Sequence, residues 1–377
     1  MSHRKRSVDQ LQTGVASGIN YIVPNVICKL LASAAILINL SWSRNHEVQL
    51  MGMGVASLFS QALGYLVVIS LNLGLSYEIG RKRDIPEQVG IFYQRALFMN
   101  FVICAFLVTP LLYISKKVVT IFAHVDNSMA EVIGEFLFQL VPSIYCFALY
   151  DTTQTFLLAQ HIYLAPLVIN IFAVFCHFFL INHLGAAWSK NFTDLGCCIA
   201  IYVFLTFRKE ELPSWIEWNI QCIKNWSVHL NFIKNIGMST YIQAFFFLLY
   251  SLLGYKLGRS ELICHICFLN ISQSFMTITI GLKEGMLIKV AYAIKKKLLA
   301  NYKEEGRISM QIFLGVTVGI LLLMLMYVSD IAKFFIVSES AQREFANAFM
   351  IEQESSASTI NTTNLLWPMP TKFSMDG

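Results

Sequence analysis

Residues 140–160 read LVPSIYCFALYDTTQTFLLAQ, a stretch long and apolar enough to cross a bilayer as one helix. It carries one carboxylate, Asp151, with the hydroxyls of Thr152 and Thr155 beside it. An ionisable side chain at membrane depth is costly, so it marks either an ion or substrate site or a polar contact between helices. This stretch therefore predicts a membrane helix built around a polar centre.

The composition of the whole chain agrees with a membrane protein. Of 377 residues, 56% are hydrophobic and 14% are charged, whereas soluble domains carry about 25% charged residues. The nine cysteines mostly lie inside apolar runs and are expected to act as small hydrophobic residues. The pair Cys264 and Cys267 lacks a second pair, so no metal site is predicted. We predict an all-α, polytopic helical bundle.

Apolar runs of membrane length recur along the chain. Nine segments reach or approach the roughly 20 residues that a span requires. They are residues 20–43, 50–79, 91–114, 133–157, 161–183, 194–207, 231–255, 261–282 and 310–329.

The distribution of Lys and Arg between these segments predicts the orientation. With a cytoplasmic N-terminus, the inner segments hold 17 basic residues and the outer loops hold 6, as the positive-inside rule expects. The outer loops would include Asn191-Phe192-Thr193, a glycosylation sequon.

The same pattern divides the chain into regions. We predict a cytoplasmic tail, an N-lobe of six spans, a cytoplasmic link, a partial C-lobe of three spans and a disordered tail. Within the C-lobe, a basic amphipathic loop would lie on the inner leaflet and contact anionic lipids. The regions are 1–19, 20–207, 208–230, 231–340 (with the basic loop at 283–307) and 341–377.

Several polar side chains join Asp151 as candidates for binding substrate or a coupling ion. A carboxyl group with hydroxyl neighbours can hold a proton or a sodium ion, although amides in spans more often hydrogen-bond to other helices. The candidates are Asp151, Thr152, Thr155, Asn72, Asn170 and Gln243. Glu78 and Glu284 are expected at inner helix ends as interfacial charges. No enzyme motif is present, so no catalytic residue is predicted.

The order of short motifs resembles the eukaryotic branch of the MATE (multidrug and toxic compound extrusion) family. The five motifs lie at the start of the third span, within the fourth, at the start of the fifth, around the start of the sixth and at the end of the eighth. They are Tyr93-Gln94-Arg95-Ala96, Leu140-Val141-Pro142 with Phe156, Ala159 and Gln160, Ala165-Pro166-Leu167-Val168-Ile169 with His177, Leu184-Gly185 with Gly196, and Phe275 to Leu282.

This resemblance implies two six-helix lobes that expose a central cavity alternately to the two sides of the membrane. Organic cations or other xenobiotics would be exported in exchange for protons or sodium ions, with no further cofactor. The chain departs from the pattern in its coupling acids. Gln243 lies near the expected seventh-span glutamate, and Asn72 stands where many members have an aspartate.

From these observations we expect a MATE-type antiporter in a plasma or vacuolar-type membrane, with nine spans in this sequence; whether it is incomplete or inactive stays open. The expected partners are small organic cations and membrane lipids, not nucleic acid, and the oligomeric state stays open. Two alternatives remain: a membrane chemoreceptor or channel subunit, and a lipid-linked sugar flippase of the same superfamily. The flippase would need a cationic cavity, and only Lys29 and Arg95 lie at membrane depth.

Overall fold

The computed structural model describes residues 2–123, 127–224, 226–254, 259–295 and 299–346. These parts of the chain form helices and turns, with no strand among them. The helices are α1 (Ser2–Ser43), α2 (Glu47–Ser60), α3 (Leu66–Lys82), α4 (Pro86–Ile103), α5 (Thr109–Ala123), α6 (Asn127–Gln139), α7 (Val141–Ala159), α8 (Leu164–Leu184), α9 (Ala186–Phe207), α10 (Trp226–Leu253), α11 (Arg259–Lys295), α12 (Leu299–Met326) and α13 (Val328–Phe335). The predicted all-α fold class is confirmed.

Several predicted spans are built from two helices. A π-helical turn, Gln61–Tyr65, joins α2 to α3, and another, Cys104–Val108, joins α4 to α5. Such turns leave the helix continuous while changing its direction or register. Between α6 and α7 the axis bends by 42°, next to Pro142 in the first turn of α7, where the missing N–H of proline breaks no helical hydrogen bond.

By length and apolarity, six stretches of the described residues could each cross a membrane, or up to eight if each bent helix pair is one span. Nine had been predicted. The remaining one lies in α10, whose apolar part, Gly237–Leu253, is shorter than a full span.

The outward-facing side chains agree with a lipid environment. On α8, Phe172, Phe175 and Phe179 are each at least 60% exposed. Large apolar faces of this kind are rare on soluble monomers but are expected where helices contact acyl chains. The protein is therefore an integral, multi-pass membrane protein.

Helices from the two predicted lobes are in direct contact. α11 lies against α1, α2 and α3, and α10 lies against α3. Close approach depends on glycine: a Cβ atom at Gly80 would come within 2.4 Å of the carbonyl oxygen of Ile288, and one at Gly237 within 2.6 Å of that of Ser70. These contacts bring α1, α3, α7 and α11 together around one polar centre.

Four boundaries differ from the prediction. α1 begins at Ser2, so residues 2–19 continue the first helix. α9 begins at Ala186 rather than residue 194, because Gly185, with φ at +75°, ends α8 and starts the next helix at once. The basic stretch 283–307 does not form a separate surface segment: its described part extends α11 and begins α12.

The fourth difference concerns the predicted disordered tail. Residues 341–346 are helical, and Ala341 and Phe345 are buried in the core. The rest of the predicted tail, 347–377, lies outside the described residues.

Candidate functional site

Three buried charged side chains meet between the predicted lobes. Lys29 of α1 places its Nζ atom 2.6 Å from Asp151 Oδ1 of α7 and 3.2 Å from Glu284 Oε2 of α11. The three residues are at most 3% exposed. We call Lys29, Asp151 and Glu284 the charged cluster. With all three groups ionised, it carries one surplus negative charge.

Asp151 also receives a hydrogen bond from a neutral side chain. Asn72 Nδ2, on α3, donates to Asp151 Oδ2 at 2.7 Å. Asn100 Nδ2, on α4, donates to Asn72 Oδ1 at 3.0 Å and to Thr152 Oγ1 at 2.8 Å. Asp151 is thus hydrogen-bonded to the amide of Asn72, which the amide of Asn100 holds in turn, as a buried carboxylate requires.

Glu284 is contacted through both of its carboxylate oxygens. Its Oε1 accepts hydrogen bonds from Thr155 Oγ1 at 2.6 Å and from Ser76 Oγ at 3.3 Å. Its Oε2 is buried and, among the described residues, faces only the ammonium of Lys29. Both carboxylates of the cluster therefore contact the ammonium of Lys29 and accept hydrogen bonds from neutral side chains, Asn72 for Asp151 and Thr155 and Ser76 for Glu284.

The local sequence of α7 explains why three threonines can sit in a buried helix. Thr152 and Thr153 each donate a hydrogen bond to the carbonyl four residues earlier, at 2.6 and 2.7 Å. This satisfies the hydroxyl within the helix itself. The threonines therefore form a polar stripe without requiring water in the bundle.

The cluster is enclosed. The two cavities that border it have volumes of about 40 Å³ beside Lys29 and about 30 Å³ beside Asp151, which is room for a few water molecules at most. A larger cavity of about 590 Å³ lies elsewhere, lined by Tyr93, Trp215 and Trp218. An organic cation could reach the charged cluster only if the helices around it separated.

The chain is similar in sequence to known proteins over part of its length. No protein-family model matches the chain. The chain is 24% identical over 186 residues to Protein DETOXIFICATION 3 of Arabidopsis thaliana, which covers 48% of this chain and 37% of that protein. It is 20% identical over 248 residues to multidrug and toxin extrusion protein 1 of Rattus norvegicus, which covers 63% of this chain and 44% of that protein. The matches therefore span less than half the length of these curated relatives.

Solved structures match a larger share of the chain. The eukaryotic MATE transporter AtDTX14 superposes with a TM-score of 0.81 at 15% identity, covering 90% of this chain and 78% of that chain. The chain has the MATE fold. An inward-facing multidrug resistance MATE transporter of the MOP superfamily superposes less closely, with a TM-score of 0.63 at 12% identity, covering 88% of this chain and 79% of that chain. The predicted resemblance to the MATE family is confirmed.

Most of the residues proposed from sequence lie together in this MATE fold. Asp151, Asn72 and Thr152 form one hydrogen-bonded group, and Thr155 binds Glu284. Asn170 of α8 bonds to another polar residue of α7: its Nδ2 donates a hydrogen bond to Gln154 Oε1 at 2.7 Å.

Gln243 is separate from this group. It lies on α10, exposed, and lines a cavity of about 390 Å³ together with Thr240 and Lys283. It does not take the place of an acid in the charged cluster.

Three members of the site were missed from sequence. Glu284 was expected as an interfacial charge because an apolar run ends just before it, but α11 continues to Lys295 and keeps Glu284 inside the bundle. Lys29 was recognised at membrane depth without a partner, and Asn100 was not among the proposed site residues. The sequence did contain one signal for this pairing. A buried lysine needs a carboxylate partner, and few carboxylates of this chain lie at membrane depth.

A second buried polar group lies on α9. Lys190 Nζ is 2.5 Å from Asp194 Oδ1, and Asp194 also accepts a hydrogen bond from Ser143. Asn191 is 7% exposed, donates to the carbonyl of Gln139 at 2.7 Å and accepts from the amide of Ser143 at 2.9 Å. The sequon was expected in an outer loop, but the structure places Asn191 within α9 with its side chain packed inside the bundle.

The residues that carry the resemblance on α4 anchor the inter-lobe link. Gln94 Nε2 donates to the carbonyl of Glu217 at 2.9 Å, and Gln94 Oε1 accepts from the amide of Asn219 at 2.9 Å. Arg95 donates to the carbonyl of Gln221 at 3.3 Å. The guanidinium of Arg95 therefore hydrogen-bonds to the link and does not belong to the charged cluster.

No metal site accompanies these groups. Within the described ranges, no set of three or more His, Cys, Asp or Glu side chains is placed to hold a metal ion. All nine cysteines are free thiols.

Proposed function

We propose that this protein is a secondary antiporter of the MATE type, exporting organic cations or similar xenobiotics in exchange for protons or sodium ions by alternating access. The N-terminus would lie in the cytoplasm, in a plasma or vacuolar-type membrane. The transporter class rests on the MATE fold and on relatives whose names include detoxification and multidrug and toxin extrusion.

The charged cluster is the observation that carries the proposal. It joins α1 and α7, of the predicted N-lobe, to α11, of the predicted C-lobe, through a buried lysine and two carboxylates. Buried charges of this kind are costly and are characteristic of ion and proton pathways in membrane proteins. A movement of the lobes that opened a central cavity would separate α11 from α1 and α7 and expose both carboxylates to a cation.

The net charge of the site favours cationic cargo. The two carboxylates outnumber Lys29, and Arg95 is hydrogen-bonded to the link. An anionic lipid-linked sugar would meet repulsion at this cluster, because like charges in a low-dielectric interior repel strongly. We therefore prefer the cation antiporter to the flippase alternative.

The test is transport by the full chain in liposomes loaded with a fluorescent organic cation. Efflux is followed after a proton gradient or, separately, a sodium gradient is imposed. We expect gradient-driven efflux by the unmodified protein and at least a tenfold loss with Asp151→Asn. The matched control is Glu135→Gln, which removes an exposed carboxylate of α6 and should leave efflux unchanged.

Two results would count against this function. If neither gradient moves the cation through the unmodified protein, the antiporter proposal is wrong. If Asp151→Asn transports at the same rate and with the same gradient dependence, Asp151 takes no part in coupling.

A further inference from the structure

The largest part of the space beside α7 lies on the face opposite the charged cluster. Asp151 and Thr153 are two residues apart, which turns their side chains about 200° away from each other around the helix. Thr153 lines the cavity of about 590 Å³ between α4, α7, α9 and the inter-lobe link, and Asp151 does not. This cavity is therefore separate from the site assigned above to transport.

The cavity is apolar and opens on the outer surface of the bundle. Its lining includes Leu97 and Leu205, and also Leu149 and Ile199, which are 47% and 57% exposed and so mark the opening. Its volume is that of a small-molecule site. None of the described residues that line it is charged. It suits a neutral molecule, because a charge brought there would lose its hydration without finding a partner.

Aromatic side chains form one wall of the cavity. Tyr93 of α4 stacks on Phe156 with the ring centroids 4.4 Å apart, and the ring of Trp215 lies 5.9 Å from that of Tyr93. Trp218, also on the link, is 61% exposed, as is common for tryptophan at a membrane interface. Tyr93 lies about 10 Å along α4 from the start of that helix. The cavity thus leads from the link into the apolar part of the bundle, where a flat, rigid ring system could pack against Tyr93.

A hydrogen bond inside the cavity has a fixed direction. Thr153 has one hydroxyl hydrogen, which it donates to the carbonyl of Leu149 at 2.7 Å. The hydroxyl of Tyr93 lies 2.9 Å from Thr153 Oγ1 and must therefore be the donor of that pair. Tyr93 Oη then has no hydrogen left to give but retains a lone pair.

The two other buried polar side chains of the lining have also used their donors. Gln94 Nε2 donates to the carbonyls of Ile216 and Glu217 at 3.2 and 2.9 Å. Ser214 donates to Gln160. Among the described residues, the buried polar side chains around the cavity therefore offer acceptors and no spare donor. A bound molecule gains a hydrogen bond from them only by donating one.

We propose that this cavity binds a membrane sterol, a neutral and rigid ring system whose single hydroxyl group donates a hydrogen bond to Tyr93 Oη. A lipid acyl chain would fill the same volume without a hydrogen to donate, and a flexible chain loses more conformational entropy when it is held. An organic cation would find no acid in the lining. The binding does not depend on the antiporter function, so failure of transport would leave it standing.

The experiment uses the full chain in phosphatidylcholine vesicles that contain a photoactivatable sterol. After illumination, mass spectrometry locates the crosslinked peptides. We expect labels within residues 90–97, 198–205 and 214–218, displaced by unlabelled sterol. The corresponding ketone can only accept a hydrogen bond, so it should compete roughly two- to tenfold less well, which is the worth of one such bond. An unbranched long-chain alcohol, which has the donor but no rings, should also compete less well.

Two conservative substitutions test the direction of the hydrogen bond. Tyr93→Phe removes the acceptor, so the sterol and the ketone should compete equally. Thr153→Val leaves the hydrogen of Tyr93 free to be donated, so the ketone should compete at least as well as the sterol. If either variant keeps the preference of the unmodified protein for the sterol, the proposal is wrong.

A third variant tests the opening. Ile199→Trp should reduce labelling of the cavity, whereas Phe172→Trp should not, because Phe172 is 69% exposed on α8 and lies outside the lining. Two further results would overturn the proposal. One is labelling that unlabelled sterol does not displace or that is equally strong on α8, which would mean ordinary lipid contact only. The other is a long-chain alcohol that competes as well as the sterol, which would mean that the rings are not recognised.

Discussion

Replacing Lys29 by methionine is the most direct test of the energetics of the charged cluster. Methionine retains the length and apolar stem of lysine but removes the ammonium that lies 2.6 Å from Asp151 and 3.2 Å from Glu284. Both carboxylates then lie in an enclosed site without a cation. Removing one partner of a buried ion pair costs about 3–5 kcal/mol of unfolding free energy.

The loss of unfolding free energy can also be estimated from protonation of the carboxylates, with a similar result. The carboxylates can become neutral by taking up protons, and an aspartate with an ordinary pKa near 4 pays about 4 kcal/mol for this at pH 7. That cost falls by about 1.4 kcal/mol for each unit of acidification. We therefore expect Lys29→Met to lose about 3–5 kcal/mol at pH 7 and roughly a third of that near pH 5.

The direction of this pH dependence follows from proton counting. In Lys29→Met the folded state binds more protons than the unfolded chain, so stability is present at low pH and lost as the pH rises. The assay is equilibrium unfolding in mixed micelles, monitored by tryptophan fluorescence at pH 5, 6, 7 and 8. Lys116→Met is the control, because that lysine is about half exposed and its ion pair with Glu131 is 3.9 Å long; it should change stability by less than about 0.5 kcal/mol.

A triple variant separates charge from shape. Lys29→Met with Asp151→Asn and Glu284→Gln removes all three charges while keeping similar volumes, and replacing a buried ionic group as a whole is often nearly neutral. It should be more stable than Lys29→Met by at least about 2 kcal/mol. If Lys29→Met behaves like the Lys116 control, the carboxylates do not depend on the ammonium and the reasoning about the cluster is wrong.

Three further predictions concern packing and backbone. Gly80→Ala should cost about 1–3 kcal/mol because its Cβ would lie 2.4 Å from the carbonyl oxygen of Ile288, whereas Gly315→Ala, with open space around it, should not destabilise in the same unfolding assay. His161→Gly should stabilise by about 1 kcal/mol, since His161 has a φ of +65°; a lower melting temperature would contradict this. Asn191→Ala should cost about 1–3 kcal/mol, and glycosidase treatment of protein from eukaryotic cells should cause no mass shift at Asn191, which is buried.

The helices were predictable because length and apolarity decide them locally. All nine predicted segments are helical, and Asp151 was found as an intramembrane acid from the sequence around it. Boundaries were harder where polar residues lie inside helices. Lys190 and Asn191 look like loop residues, but Lys190 pairs with Asp194 one turn later and Asn191 bonds to the end of α6, so α9 can begin at Ala186.

The composition of the site could not be predicted in the same way. Lys29, Asp151 and Glu284 are separated by more than a hundred residues each, and only the packing of α11 against α1 and α3 brings them together. Glu284 was misplaced because the end of an apolar run was taken as the end of a span. The helix continues past it, so the acid lies in the bundle rather than at the membrane surface.

The position of Glu284 bears on what an ion-coupled MATE fold needs from its sequence. The resemblance led us to look for an acid near Gln243 on α10, which is exposed and lines another cavity. Glu284 on α11 meets Asp151 instead, with Lys29 between them. Since a buried carboxylate responds to the charges that contact it and not to its place along the chain, the resemblance could not show which helix supplies the second acid of the cluster. Glu284 does not stand alone in the cluster, because the ammonium of Lys29 contacts both carboxylates and a change at any one of the three residues alters the charge that surrounds the other two.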